Sequence, residues 1–348
     1  MKKLKIAQVA PLWFAVPPKK YGGTERIVSF LTEGFHEKGH DVTLFASGDS
    51  KTKAKLVPFV KKGLMEMGMQ WGHYWWNLLH YSDVFQKANQ FDIIHCHWEM
   101  MGTYFQRFVK TPVIHTLHNT PTDKNPFWKV YDYFKNDANL AYISKSEKNK
   151  AKVKVKNSFV VYNGMDMDPF YFNPTPKDYF VWVARVSPEK GIETAIKIAK
   201  KAGVKLLMAG QIQPQREKYF KEKIKPHLNK NIRFLGELTL KELVDLYAGA
   251  KALLYPIDWE EPFGLVMTEA MACGTPVIAY NRGSVPEIVI HGKTGFVVKD
   301  VREAIAAVKK IDQIKREDCR ERVLKNYTKE IMVNNYEKLY YKLLANKK

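Results

Sequence analysis

Ala252-Leu253-Leu254-Tyr255-Pro256-Ile257-Asp258-Trp259-Glu260-Glu261-Pro262-Phe263-Gly264-Leu265-Val266-Met267-Thr268-Glu269-Ala270 is the stretch on which the reading of this chain turns. It opens with a short apolar run closed by proline, the pattern of a buried strand, and a helix is expected from about Gly264 onward. The start of such a helix offers free N–H groups and a positive dipole end, a suitable cradle for a diphosphate. Gly264 lets that backbone approach a ligand with no side chain between them. Glu261 stands just before the helix and Glu269 about a turn and a half inside it. At a rise of about 1.5 Å per residue, the two carboxylates can reach different parts of one extended ligand. Taken alone, Glu261 reads more readily as a dipole or capping carboxylate and Glu269 as a surface glutamate. The whole string, placed after a buried strand, favours a ligand site.

The same alternation runs outward in both directions. Candidate strands fall at 5–11, 41–47, 91–97, 112–118, 140–144 and 158–162, then at 179–186, 205–209, 232–236, 252–256, 276–280 and 295–298. Between them lie helical stripes: Ile27, Val28, Leu31 and Phe35, with Thr24 expected as N-cap, and Ile192, Ala195, Ile196, Ile198 and Ala199. A last stripe, Met332, Tyr336, Leu339, Tyr340 and Leu343, ends the chain. Strands alternating with helices predict an α/β fold with parallel sheets covered on both faces. Two such series predict two facing Rossmann-like domains. Ligands of doubly wound sheets bind beyond the carboxyl ends of the strands, so a cleft between the domains is the expected site. Tyr162-Asn163-Gly164 and the prolines at 169, 174 and 176 mark the connector. The expected domains are therefore 1–165 and 170–325, followed by a closing helix over 326–348.

The 348 residues carry 56 Lys and Arg against 36 Asp and Glu, a formal charge of +20. Six lysines between Lys145 and Lys156 are opposed only by Glu147. Such a surface is either a solvated lysine face or a steering field for anionic partners: nucleotides, phosphorylated acceptors or acidic lipid headgroups, with nucleic acid the least favoured. No run approaches eighteen apolar residues, so no transmembrane helix is expected. The apolar part of the opening Met1-Lys2-Lys3-Leu4-Lys5-Ile6-Ala7 is too short for a signal peptide and reads as a first strand. Cys96, Cys273 and Cys319 lack the spacing of a disulfide frame or zinc knot. A cytoplasmic enzyme is expected, with possible peripheral contact to an anionic membrane.

The 260–270 string resembles the E-x7-E signature of retaining GT-B glycosyltransferases, specifically family 4. The similarity continues through Met271-Ala272-Cys273-Gly274-Thr275-Pro276-Val277, Gly283-Ser284-Val285-Pro286-Glu287 and Gly292-Lys293-Thr294-Gly295-Phe296, and covers nearly the whole chain from Pro11 onward. The resemblance implies that Glu261 lies beside the donor sugar and Glu269 holds the ribose hydroxyls, with Phe263, Gly264 and Leu265 at the donor. It implies that the terminal helix packs back onto the first domain. Val183-Ala184-Arg185-Val186-Ser187-Pro188-Glu189-Lys190-Gly191 carries a planar guanidinium and a mobile ammonium, both suited to a diphosphate. The resemblance gives Arg185 and Lys190 that task, although Ala184 stands where relatives often have glycine. Surface ion pairs with Glu189 or Glu193 are the plainer reading. Two cations and a helix terminus make a metal unnecessary, so no cofactor is expected beyond a nucleotide-diphosphate sugar as co-substrate.

Tyr21-Gly22-Gly23-Thr24, between the first strand and first helix, resembles the family's glycine loop and places Gly22 and Gly23 at the donor. His118, in Thr116-Leu117-His118-Asn119, matches the family's sugar-contacting histidine, and Leu238 the position whose backbone meets the nucleobase. His95, His97 and His115 read as packed strand-end histidines, with lining of the acceptor side as a second reading for His97, and no cysteine or carboxylate framework for a metal accompanies them. The stretch with Met65, Met67, Met69, Trp71, Tyr74, Trp75, Trp76, Tyr81 and Phe85 suits either a packed helix or an adaptable acceptor surface. The implied reaction is front-face transfer of a hexose to an acceptor hydroxyl, with Glu261 and His118 on the sugar. The acceptor is unknown: a glycan, a lipid or a small molecule. The segments 16–26 and 44–50 resemble a subgroup labelled tetrahydrobiopterin glucosyltransferase, and an antibiotic-tailoring transferase, which makes UDP-glucose the leading donor. The alternatives are a nucleotide-sugar 2-epimerase of the same architecture and a non-catalytic anion- or nucleic-acid-binding protein. No G-x-G-x-x-G is present, which argues against a nicotinamide dehydrogenase.

Overall fold

Strands buried on both faces suit parallel sheets, and every strand pairing among the described residues is parallel. The computed structural model describes residues 2–19, 22–69, 74–98, 101–118 and 128–345. The chain divides into one unit of Met1–Gly164 with Lys329–Lys348, and a second of Met165–Thr328. Both are Rossmann-like α/β units, as the alternation predicts.

The first unit holds β1 (Lys5–Val9), β2 (Asp41–Ser47), β3 (Lys55–Val60), β4 (Ile93–Cys96), β5 (Val113–Leu117), β6 (Asn139–Tyr142) and β7 (Asn157–Val160), in the order β3-β2-β1-β4-β5-β6-β7. The second holds β8 (Phe180–Val183), β9 (Leu206–Ala209), β10 (Ile232–Phe234), β11 (Ala252–Tyr255), β12 (Val277–Tyr280) and β13 (Gly295–Val298), in the order β10-β9-β8-β11-β12-β13. Strand order reverses between β1 and β4 in one sheet and between β8 and β11 in the other. Crevices open at such switch points, so the loops after these four strands are where ligands are expected.

The stripe of α1 (Gly23–Glu37) faces inward, with Ile27, Val28, Leu31 and Phe35 fully buried. The helix Lys329–Ala345 covers it, burying Met332, Val333, Tyr336 and Tyr340. The two helices lie close: a Cβ on Gly34 would come within 2.5 Å of Val333 Cγ2. Phe35 stacks on Tyr340 with centroids 5.0 Å apart. The helix α2 (Tyr74–Gln86) divides the Met and aromatic stretch between its two readings. Tyr81 and Phe85 are buried and Met65 and Met69 pack on the core, while Met67, Tyr74, Trp75 and Trp76 are exposed.

Three expectations need correction. β3 is absent from the expected strands; it carries Pro58 in its middle, which is tolerated because β3 is an edge strand. Thr24 is not the N-cap of α1: Gly22 occupies that position with no side-chain hydrogen bond, and Thr24 lies inside the helix. The candidate strand 179–186 overshoots, since β8 ends at Val183 and Ala184, Arg185 and Val186 already belong to the following loop. Tyr21, Trp71 and Asn119 lie outside the described residues. Cys96, Cys273 and Cys319 are free and buried. Among the described residues no helix is long and apolar enough to cross a membrane.

Candidate active site

In the second unit the site is built on the loops after β8 and β11. Adjacency of these strands brings together charges 71 positions apart in sequence: Lys190 Nζ lies 2.9 Å from Glu261 Oε2. The β8 loop is tied to its strand by Trp182 Nε1, which donates to the Lys190 carbonyl at 2.9 Å. Glu261 is only 7% exposed, and a carboxylate so far out of water needs donors. Oε2 receives three: Lys190, the Tyr255 hydroxyl at 2.5 Å and Trp259 Nε1 at 3.0 Å. Lys190 also sits 4.2 Å from the centroid of the Trp259 ring, a cation–π contact. Burial and the neighbouring Glu261 push the Tyr255 phenol well above its ordinary range, so it stays a donor. Oε1 of Glu261 has no partner among the described residues. One oxygen is thus saturated and the other is left to accept.

The backbone of Glu261 is clamped as well. Ser284 N donates to its carbonyl at 2.9 Å and Gly283 N to Glu260 Oε2 at 2.6 Å. A Cβ on Gly283 would come within 2.2 Å of the Glu261 carbonyl oxygen, so only glycine permits this approach. Gly264, at φ 80°, caps the helix Leu265–Ala272 in the left-handed region. Phe263 is buried with its ring edge on Tyr327, and Leu265 is half-buried at the first helical position. Glu269, inside the helix and 4% exposed, accepts from the Tyr247 hydroxyl at 3.2 Å. Arg185 is paired with Glu189 at 3.2 Å, each side chain about a third exposed at 33% and 32%. Leu238 is half-buried, just ahead of the helix Leu240–Gly249 with its Thr239–Glu242 capping box.

In the first unit the corresponding ends are those of β1, β4 and β5. Gly22 and Gly23 open α1, Gly22 buried and Gly23 exposed. Two positions on, Glu25 is 4% exposed, and burial raises its carboxyl to about 8. His118, half-buried, has Nε2 3.4 Å from His97 Nδ1, and their rings lie at 30° to each other. His97 Nε2 lies 2.7 Å from Gln8 Oε1. Burial lowers His118 to about 4 and His115 to about 3, and holds His95 and His97 well below the ordinary histidine value. All four are therefore neutral at neutral pH. Among the described residues no group of three or more His, Cys, Asp or Glu is arranged to hold a metal ion.

The structure thus joins Lys190 to Glu261 and His118 to His97, and keeps Arg185 with Glu189. Sequence reasoning missed Tyr255, Trp259, Gln8 and Glu25. Tyr255 and Trp259 carried a usable signal: a carboxylate just beyond a buried strand needs donors, and Tyr255 closes that strand while Trp259 lies on the loop between them.

The chain matches the family model for glycosyl transferases group 1 over residues 167–331 and that for glycosyltransferase family 4 over residues 21–169. It is 25% identical to an uncharacterized glycosyltransferase of Methanocaldococcus jannaschii, over 85% of each chain. It is 30% identical to an uncharacterized 41.2 kDa protein from the cps region of Klebsiella pneumoniae, over 73% of this chain and 80% of that one. In fold it is similar to Anabaena HepE, solved in complex with UDP and glucose, with a TM-score of 0.76 at 18% identity, covering 97% of this chain and 100% of that one.

Proposed function

We propose, from the premise that this chain belongs to the GT-B glycosyltransferases acting on nucleotide-sugar donors, that it moves a hexose to an acceptor hydroxyl with retention of configuration. UDP-glucose is the favoured donor, in keeping with the complex of the fold relative with UDP and glucose. The observation that carries the reading is the asymmetry of Glu261, with Oε2 saturated by three donors and Oε1 left to accept a sugar hydroxyl.

As the glycosidic bond breaks, negative charge grows on the leaving diphosphate. Lys190, Arg185 and the amide groups at the start of the helix Leu265–Ala272 are the groups to stabilise it, and fixed donors of this kind act without reorganising. Lys190 holds Glu261 in place and presents its charge to the phosphate from one position. Glu269 takes the ribose hydroxyls and the Leu238 backbone the nucleobase. His118 is the second sugar-contacting group. The leaving phosphate oxygen removes the acceptor proton, so no covalent glycosyl-enzyme forms and no metal is required. The test is product analysis in excess chelator with UDP-glucose and simple acceptors. An α-linked product at undiminished rate is expected. A β-linked product, or activity restored by magnesium or manganese, overturns the corresponding part. An altered sugar nucleotide without acceptor would instead support the epimerase reading.

A second observation bears on the acceptor side. Trp128, Asp132, Lys135, Lys152, Lys154 and Lys156 line an open cavity of roughly 460 Å³ on the first unit. Lys152 stands 4.0 Å from the Trp128 ring centroid, and Lys135 pairs with Asp132 at 3.0 Å. On the same helix Tyr133 is 68% exposed. Basic side chains with exposed aromatic rings suit an anionic lipid surface, and we assign this face to peripheral contact with one. Fields of this kind extend about 8 Å at physiological salt, so they act on encounter and spare the bond-breaking step. Wild type is expected to bind anionic but not neutral vesicles, more strongly at low salt. Reversal of Lys152, Lys154 and Lys156 to Glu should abolish that binding and leave donor hydrolysis unchanged. Indifference of the wild type to anionic vesicles at low salt ends the assignment.

A further inference from the structure

Beneath His118 runs a buried chain of polar side chains that the proposed reaction does not use. We propose that Gln8 is a positioning residue: through His97, its carboxamide fixes His118 in the Nε2–H tautomer and leaves Nδ1 as the ring's acceptor for a substrate hydroxyl. The inference rests on the reading of His118 as a sugar-contacting group, and its first test is independent of that reading.

The argument is one of donors and acceptors. A carboxamide oxygen only accepts, so with Gln8 Oε1 2.7 Å away, His97 Nε2 must carry the proton. His97 is neutral, which leaves its Nδ1 bare and able only to accept. The neighbour 3.4 Å away, His118 Nε2, must then donate. His118 is neutral as well, so its Nδ1 is bare, and it has no hydrogen-bond partner among the described residues. On the other side Gln8 Nε2 donates to the Tyr340 hydroxyl at 3.1 Å. Tyr340 then donates to His95 Nδ1 at 2.6 Å, and His95 Nε2 to Thr116 Oγ1 at 2.6 Å. Thr116 meets the Tyr336 hydroxyl at 2.7 Å.

Packing holds the chain in this order. Gln8, His95, Thr116, Tyr336 and Tyr340 are fully buried and His97 is 1% exposed, so none can turn to water. Turning the carboxamide over would reverse every bond, but it would set two nitrogens 2.7 Å apart at His97, a distance that suits N–H···O. This polarity leaves one hydroxyl hydrogen, on Thr116 or Tyr336, without an acceptor among the described residues. Gln8 lies on β1 and His97 directly follows β4, at the switch point of this sheet, which is how a residue in a buried strand comes to act on a loop histidine.

The substrate-free protein, labelled with ¹⁵N-histidine, gives the first test. Long-range ¹H–¹⁵N spectra, with His118→Asn for assignment, should show protonated Nε2 and bare Nδ1 for both His97 and His118. A protonated Nδ1 on either ring overturns the proposal in the wild type, whatever a variant does. In Gln8→Met, which keeps the length of the side chain but none of its bonds, His118 should become a mixture of tautomers. The donor turnover number should fall about tenfold, the scale of one hydrogen bond to substrate, with KM less affected. An unchanged single tautomer in folded Gln8→Met overturns the role of Gln8. A shifted tautomer with unchanged turnover overturns the part that sends Nδ1 to substrate, and with it the role of His118.

Discussion

Glu261→Gln is expected to lose transfer by a hundredfold or more, on the order of what one preorganised polar group supplies to a charged transition state, while the protein folds and still binds nucleoside diphosphate. The carboxamide cannot satisfy both sides of the site. If its nitrogen faces Lys190, Tyr255 and Trp259, the Lys190 and Trp259 donors lose their acceptor and only the Tyr255 hydroxyl can turn to accept. If its oxygen faces them, the nitrogen replaces Oε1 and can no longer accept a sugar hydroxyl. Turnover and diphosphate affinity measured side by side decide the matter. Near-normal turnover would remove Glu261 from the mechanism.

Lys190→Ala and Arg185→Ala should both weaken the diphosphate far more than the free nucleoside, but only the first should destabilise the fold. A charge-assisted hydrogen bond is worth roughly 1.5–3 kcal/mol, so each loss should cost about ten- to over a hundredfold in diphosphate affinity. The two cations differ in what they leave behind. The Lys190 and Glu261 side chains are 14% and 8% exposed, and removing one partner of a buried pair costs about 3–5 kcal/mol. Arg185 and Glu189 are about a third exposed, where such a pair contributes about 0–1 kcal/mol. Calorimetric titration with nucleoside and diphosphate, alongside denaturant unfolding, separates the effects. The double variant Lys190→Met with Glu261→Gln should recover the lost stability and none of the activity. Equal losses for nucleoside and diphosphate would overturn the assignment to the phosphates.

The architecture was legible because parallel strands buried on both faces are written as unbroken apolar runs. The one strand that escaped, β3, carries a proline that its place at the sheet edge makes harmless, and edge position is a property of topology. The candidate site was legible as residue types but not as partnerships. Nothing in the sequence joins Lys190 to Glu261; that pair exists because the second sheet sets β8 beside β11. Gln8, within a run read only as a strand, gains a role because β4 pairs with β1 and the helix Lys329–Ala345 lays Tyr340 against it. Thr24 shows the opposite failure. Its side chain suits a cap, yet backbone geometry at Gly22 starts the helix earlier.

The first unit is assembled from both ends of the chain, and this bears on the order in which the protein can be made. A ribosome delivers residues 1–164 first, but the helix that covers α1 and closes the Gln8 chain arrives only after all of Met165–Thr328. Through that interval Phe35 lacks Tyr340, Gln8 and His95 lack its hydroxyl, and Gly34 lacks Val333. The second unit is continuous in sequence and can finish as it emerges, as sequentially contiguous domains generally do. The domain begun first is therefore the one completed last, and during synthesis its uncovered sheet face is the surface most in need of protection from aggregation.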